Sequence, residues 1–135
     1  MDNKLTFGLV VGNRGFFPDH LAKSGREVMI ATLNAAGYDA VCPTPSETKF
    51  GAVETRAEAR RCADMFRENR DRLAGIIVTL PNFGDEKAVA ETIRMADLNV
   101  PVLIHAFPDD RTKMKITDRR DSFCGKMSVC NNLRQ

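Results

Sequence analysis

A chain of 135 residues can bury roughly two-thirds of the surface its unfolded form exposes, and 43% hydrophobic with 28% charged residues is ordinary globular composition. Its 20 basic and 18 acidic residues leave a net charge of only +2, too weak a field to gather phosphate backbones, and no apolar run approaches the ~20 residues that cross a bilayer. Nucleic-acid and membrane partners are set aside, and without an apolar leader after Met1 the expected setting is cytoplasmic.

Residues 5–11 form a continuous apolar, β-rich run, which suits a central parallel strand covered on both faces. Asp19 is placed to cap the helix that follows, in which Leu21, Val28, Met29, Thr32, Leu33 and Ala36 recur at helical spacing until Gly37 stops it. Residues 39–42 read as a second strand, ended by Pro43 and Pro45, which open a long loop. Thr55-Arg-Ala-Glu58 has the form of a capping box, and Ala59, Cys62, Ala63 and Phe66 then mark one apolar stripe of a helix reaching about Asp71.

Residues 75–80 repeat the buried-strand pattern, and Asp85 caps a helix carrying Ala88, Val89, Thr92, Ile93 and Ala96. Residues 100–106 make a fourth strand, with Pro101 tolerable only at its start. A polar stretch, residues 107–120, leads to a last helix capped by Asp121 or Ser122, with Phe123, Met127, Cys130 and Leu133 as its stripe. Strands alternating with helices predict an α/β fold: one domain over residues 1–135, a doubly wound parallel sheet of about four to five strands in a flavodoxin-like three-layer αβα arrangement. The last helix lacks the β-unit that would normally follow it, so the chain reads as cut short.

The cysteines Cys42, Cys62, Cys124 and Cys130 form no Cys-x-x-Cys pair and are expected to be buried thiols rather than metal ligands. Ligands of open α/β sheets bind beyond the carboxyl ends of the strands, which directs attention to residues 12–20, 43–54, 81–85 and 105–111. These loops are rich in Arg, Asn, Asp and aromatic residues, which hydrogen-bond sugar hydroxyls and stack on sugar faces. Arg14 either reaches a hydroxyl pair or oxyanion with its guanidinium fork or pairs with Asp19 or Asp85. Phe16 and Phe17 either wall a pocket or serve a subunit contact. His20 and His105 are candidates for general base or metal ligand, against a plain hydrogen-bonding role, and Asp109 and Asp110 read as turn chemistry.

Gly8-x-x-x-Gly12-x-x-Gly15 fails the dinucleotide spacing, and there is no Gly-Lys-Ser/Thr phosphate loop, no receiver-type carboxylate cluster after the first strand and no Gly-x-Ser-x-Gly elbow. Four segments, Val11-Gly-Asn-Arg-Gly-Phe-Phe-Pro18, Lys49-Phe-Gly-Ala-Val-Glu-Thr55, Thr79-Leu-Pro-Asn-Phe-Gly-Asp85 and Arg120-Asp-Ser-Phe-Cys-Gly-Lys126, together resemble the N-terminal domain of the L-fucose/L-arabinose isomerase-like family.

The resemblance implies an aldose–ketose isomerase that moves a proton through an enediol while a divalent cation, commonly manganese, holds two sugar oxygens. It places the metal ligands and acid/base carboxylates in later domains, and makes this one a lid closing over a neighbouring subunit's active site in a homo-oligomer. It gives Asn13 and Arg14 of the first loop, and Pro81, Asn82 and Phe83 of the third, a role in binding a small sugar. No catalytic or metal-ligating residue is expected within this chain, which alone would be inactive. The rival expectations are a standalone sugar-binding module and a subunit-interaction domain.

Overall fold

The computed structural model describes residues 4–135; Met1 to Asn3, where the absence of a leader was read, lie outside it. Four strands, β1 (Thr6–Val11), β2 (Asp39–Val41), β3 (Leu73–Leu80) and β4 (Val102–Ala106), form one all-parallel sheet in the order β2-β1-β3-β4. Four helices connect and follow them: α1 (Asp19–Ala35), α2 (Arg56–Glu68), α3 (Glu86–Ala96) and α4 (Ser122–Arg134). This is the expected doubly wound three-layer α/β fold.

Alternation along the central strands sorts the layers. Leu9, Val11 and Ile77 face α1, packing with Ala22 and Leu33, while Val10, Val78 and Leu80 face the other way, onto Phe66 of α2, Val89 of α3 and Val129 of α4. With both faces covered, β1 and β3 need apolar residues at nearly every position, which explains their unbroken runs. Strand β4 is an edge, and Leu103 is 60% exposed on it.

Local chemistry sets most helix ends. Thr55 and Glu58 make the capping box of α2, and Asp85 accepts from the Ala88 amide at 2.9 Å to start α3. Gly37, at φ +84°, closes α1: its amide bonds to Asn34 and that of Tyr38 to Leu33, a Schellman pattern needing the left-handed conformation that glycine adopts freely. Helix α2 ends at Glu68 rather than near Asp71, because a short 3-10 turn, Arg70–Arg72, intervenes before β3.

Three helix expectations need correction. Asp19 is the first residue of α1 and not its cap; Pro18 holds the cap position and the Asp19 carboxylate is taken by Lys49 at 2.9 Å. Asp121 occupies the cap of α4 without a capping side-chain bond, its carboxylate being held by Arg119 at 2.8 Å, and buried Ser122 Oγ has no protein partner. Of the apolar stripe expected for α4, only Leu133 packs against the core; the other three residues lie on the outer face. Helix α4 buries Ser122, Gly125 and Val129, while Phe123 is 60% and Met127 68% exposed and Cys130 is exposed too. At Gly125 the missing side chain lets α4 approach the Phe83 backbone closely.

The cysteine expectation holds in half. Cys62 is buried and Cys42 partly so, burial pushing its thiol up to about 11, but Cys124 and Cys130 lie exposed on α4. No helix among the described residues is long and apolar enough to cross a membrane.

Candidate functional site

The strand-to-helix loops do gather at one rim. The Gly12 amide bonds to Thr79 O, and a bridge pairs Gly12 with Val53, so the segment before α2 is drawn against the end of β1. The Phe107 amide bonds to Leu80 O, which brings in the loop after β4. Backbone hydrogen bonds, which cannot be left unmet in a buried place, thus fix the order of the loops before any side chain is considered.

Two asparagines then lock the first loop to the third. Asn82 Nδ2 donates to Asn13 Oδ1 at 2.7 Å and to Pro18 O at 3.3 Å, while Asn82 Oδ1 accepts from the backbone amides of Gly84 at 3.1 Å and Arg14 at 3.3 Å. Asn13 Nδ2 donates to Glu54 at 3.0 Å and Asp19 at 3.3 Å. Both residues are 0% exposed, and each side-chain polar atom has a protein partner. Lys49 completes the network, 2.9 Å from Asp19 and 3.9 Å from Glu54. Its ammonium, bonded to Asp19, lowers that carboxyl's pKa, and the same contact raises the lysine's.

The third loop is held from both sides by glycines. A Cβ at Gly25 of α1 would lie 2.5 Å from Pro81 Cγ, and one at Gly125 of α4 would lie 1.9 Å from the Phe83 carbonyl oxygen. Arg120 adds a hydrogen bond to Pro81 O at 2.7 Å. Pro81 is accordingly buried, wedged against α1, and Phe83 emerges half-buried between α4 and the first loop.

Arg14 and the aromatics occupy the open part of the rim. The Arg14 guanidinium lies 5.0 Å from the centre of the Phe83 ring and 5.7 Å from that of Phe16, and Nη1 meets Glu86 Oε2 at 2.7 Å. The ion pair exists, but its partner is Glu86 and not Asp19 or Asp85, because Lys49 holds Asp19 and the helix amide holds Asp85. Phe17 stacks between Phe16 and Phe83, at 5.4 and 5.6 Å. A small cleft of about 140 Å³ lies between Phe16, Phe17, Pro18, Ile116 and Arg119, with Phe16 80% and Ile116 82% exposed.

The histidines take hydrogen-bonding roles. His105 Nδ1 pairs with Thr79 Oγ1 at 2.9 Å under the edge of Phe107, and burial, aided by Lys126, lowers its pKa. His20 Nε2 meets Thr117 O at 2.8 Å, tying the last loop to α1. Asp109 and Asp110 serve turns: Asp109 accepts from the amides of Arg120 and Asp121, Asp110 from that of Thr112. Among the described residues no group of three or more His, Cys, Asp or Glu side chains is arranged to hold a metal ion.

Of the five expected sugar-binding residues, Arg14 and Phe83 reach the surface together, while Asn13, Pro81 and Asn82 hold them in place. The sequence reading did not single out Glu86, Lys49, Glu54, Gly25 or Gly125. Lys49, Glu54 and Gly125 lie within segments that carry the family resemblance; nothing local marks Glu86 or Gly25.

Arg and aromatic faces at the mouth of parallel strands are a general ligand-binding arrangement. The family model for the N-terminal domain of fucose/sulfoquinovose isomerases matches residues 8–135. No curated protein and no solved structure matches the chain.

Proposed function

Because the chain belongs to the fucose/sulfoquinovose isomerase N-terminal domain family, we propose that it is the substrate-capping domain of a longer, metal-dependent aldose–ketose isomerase, cytoplasmic and inactive by itself. The observation that carries this reading is Arg14 set over Phe83 and Phe16 on the open rim. A guanidinium fork beside flat apolar faces suits a sugar, whose hydroxyls take hydrogen bonds in the ring's plane while its C–H face packs on an aromatic.

In this reading Arg14 orients the sugar, Phe83 and Phe16 lie against it, and Asn13, Asn82 and Pro81 keep the two loops in register. Closure of such a rim over a neighbouring active site would expel water from the reacting carbons. The divalent cation, manganese on the family resemblance, would polarise the sugar carbonyl from ligands outside this chain. The acid/base carboxylates would lie with it.

The test is direct. The chain incubated with manganese and L-fucose or L-arabinose should yield no ketose, while either sugar should shift the NMR signals of the Arg14 and Phe83 amides. Chelator-sensitive turnover by the chain alone would end the reading. Phe16 and Ile116, both more than three-quarters exposed, favour a second use of the same cleft as a subunit contact in a homo-oligomer. Sedimentation of the chain against Phe16→Ala distinguishes it, since only a contact site makes the variant dissociate more readily.

A further inference from the structure

We infer that Glu86 makes this rim selective for uncharged sugars and turns away those carrying a sulfonate, phosphate or carboxylate; the inference rests on the sugar-facing reading of Arg14. Arg14 is the cation that an anionic substituent would seek, and Glu86 already sits 2.7 Å from it. Other cations of the rim are similarly engaged. Arg119, which borders the aromatic cleft, pairs with Asp121 at 2.8 Å, and Lys49 lies between Asp19 and Glu54. Arg120 donates to the Pro81 carbonyl and covers Phe107.

The start of α3 repeats the pattern. Its amides and positive dipole end would attract an anion, but Asp85 caps it and Glu86 is its first residue, so carboxylates of the chain itself occupy that position. An incoming sulfonate would either displace Glu86 from Arg14 Nη1 or take the remaining guanidinium N–H groups beside it, in both cases against like-charge repulsion. A hydroxyl does not, because it can accept from the guanidinium and donate to the carboxylate at once, whereas an ionised sulfonate or phosphate oxygen has no proton to give. The Arg14–Glu86 pair therefore suits a polyol as it stands, and selectivity comes from the repulsive partner as much as from the attractive one.

The experiment compares the wild-type chain with Glu86→Gln, nearly isosteric at a partly buried position, and with Glu86→Ala as a second variant, each checked for unchanged circular dichroism. The Arg14 Nε–Hε signal is followed by NMR during titration with inorganic sulfate, L-fucose and sulfoquinovose. In the wild type L-fucose should move the signal and sulfate should not. In both variants sulfate should bind at Arg14, and sulfoquinovose should gain on L-fucose by roughly five-fold, the size of one partly exposed charge pair.

Sulfate attracted instead to Arg111, Lys113 or Lys115 would be read at those residues' own signals and, with Arg14 unmoved in Glu86→Gln, would overturn the inference. So would a wild-type chain that binds sulfate at Arg14 as tightly as the variant does. Failure of the underlying reading looks different: neither sugar would move Arg14 or Phe83 in any of the three chains, and the inference would fall with it.

Discussion

Asn13 and Asn82 are 0% exposed and bonded to each other, whereas Phe16, three positions along the same loop as Asn13, is 80% exposed. One stretch of rim thus spends its polar atoms on protein, and the adjoining stretch leaves a guanidinium and aromatic faces on the surface. Removing a member of the first should cost stability and alter the second only indirectly. Removing a member of the second should leave the fold intact and change what the rim can hold.

Asn82→Ala should give the largest effect. It strips partners from the Arg14 and Gly84 amides, Asn13 Oδ1 and Pro18 O together, and buried groups left unmet cost 1–3 kcal/mol, so about 3 kcal/mol is expected in urea unfolding. Asn82→Asp, similar in shape but unable to donate to Asn13, should recover little. An unchanged unfolding midpoint would mean that the asparagine pair does not hold the loops.

Gly125→Ala should come next, at about 2 kcal/mol, because its Cβ would fall 1.9 Å from the Phe83 carbonyl oxygen and the loop or the helix must move. This variant also sharpens the comparison: the displaced segment carries Phe83, so sugar-dependent shifts at Arg14 should weaken along with stability. Retained stability would show that α4 slides away at no cost.

Arg14→Ala tests the other stretch. Its ion pair with Glu86 is partly exposed, side chains 30% and 20%, and such pairs contribute no more than about 1 kcal/mol. Thermal unfolding should therefore change little, while the response of Phe83 to added L-fucose should disappear. A large loss of stability with sugar response intact would invert the assignment of the two stretches.

The fold was readable because its determinants are local. The capping box at Thr55 and Glu58, the cap at Asp85 and the stop at Gly37 each involve residues a few positions apart, and the unbroken apolar runs of β1 and β3 announce burial on both faces. The candidate site was readable only in outline. Polar residue type does not reveal burial, and Asn13 meets Asn82 across 69 positions of chain, so the clasp and the open rim looked alike. Helix α4 misled for a related reason. Its buried face is Ser122, Gly125 and Val129, with Gly125 against the Phe83 carbonyl, whereas of the large apolar residues Phe123 and Met127 lie exposed and only Leu133 packs on the core.

The smallest expected effect concerns His105, which lies beneath the rim and belongs to the structural stretch. Burial, with Lys126 nearby, lowers its pKa below the ordinary 6.5, so the folded chain binds a proton there less readily than the unfolded chain. The stabilising contribution is then present above the unfolded value and is lost as pH falls through 6.5 toward the lowered one. Protonation would set a charge against Thr79, Phe107 and Lys126, and only the hydroxyl of Thr79 could turn its oxygen to accept from the imidazolium. Stability measured from pH 7.5 to 5 should decline in the wild type and decline less in His105→Gln, which keeps a hydrogen-bonding amide but cannot titrate. Because Thr79 stands on β3 just ahead of Pro81, the sugar response at Phe83 should weaken over the same pH range in the wild type alone. Equal slopes in the two chains would show that His105 does not carry the loss; Asp19 does not enter over this range, because the contribution of its carboxyl, lowered by Lys49, is lost only as pH falls below 3.8.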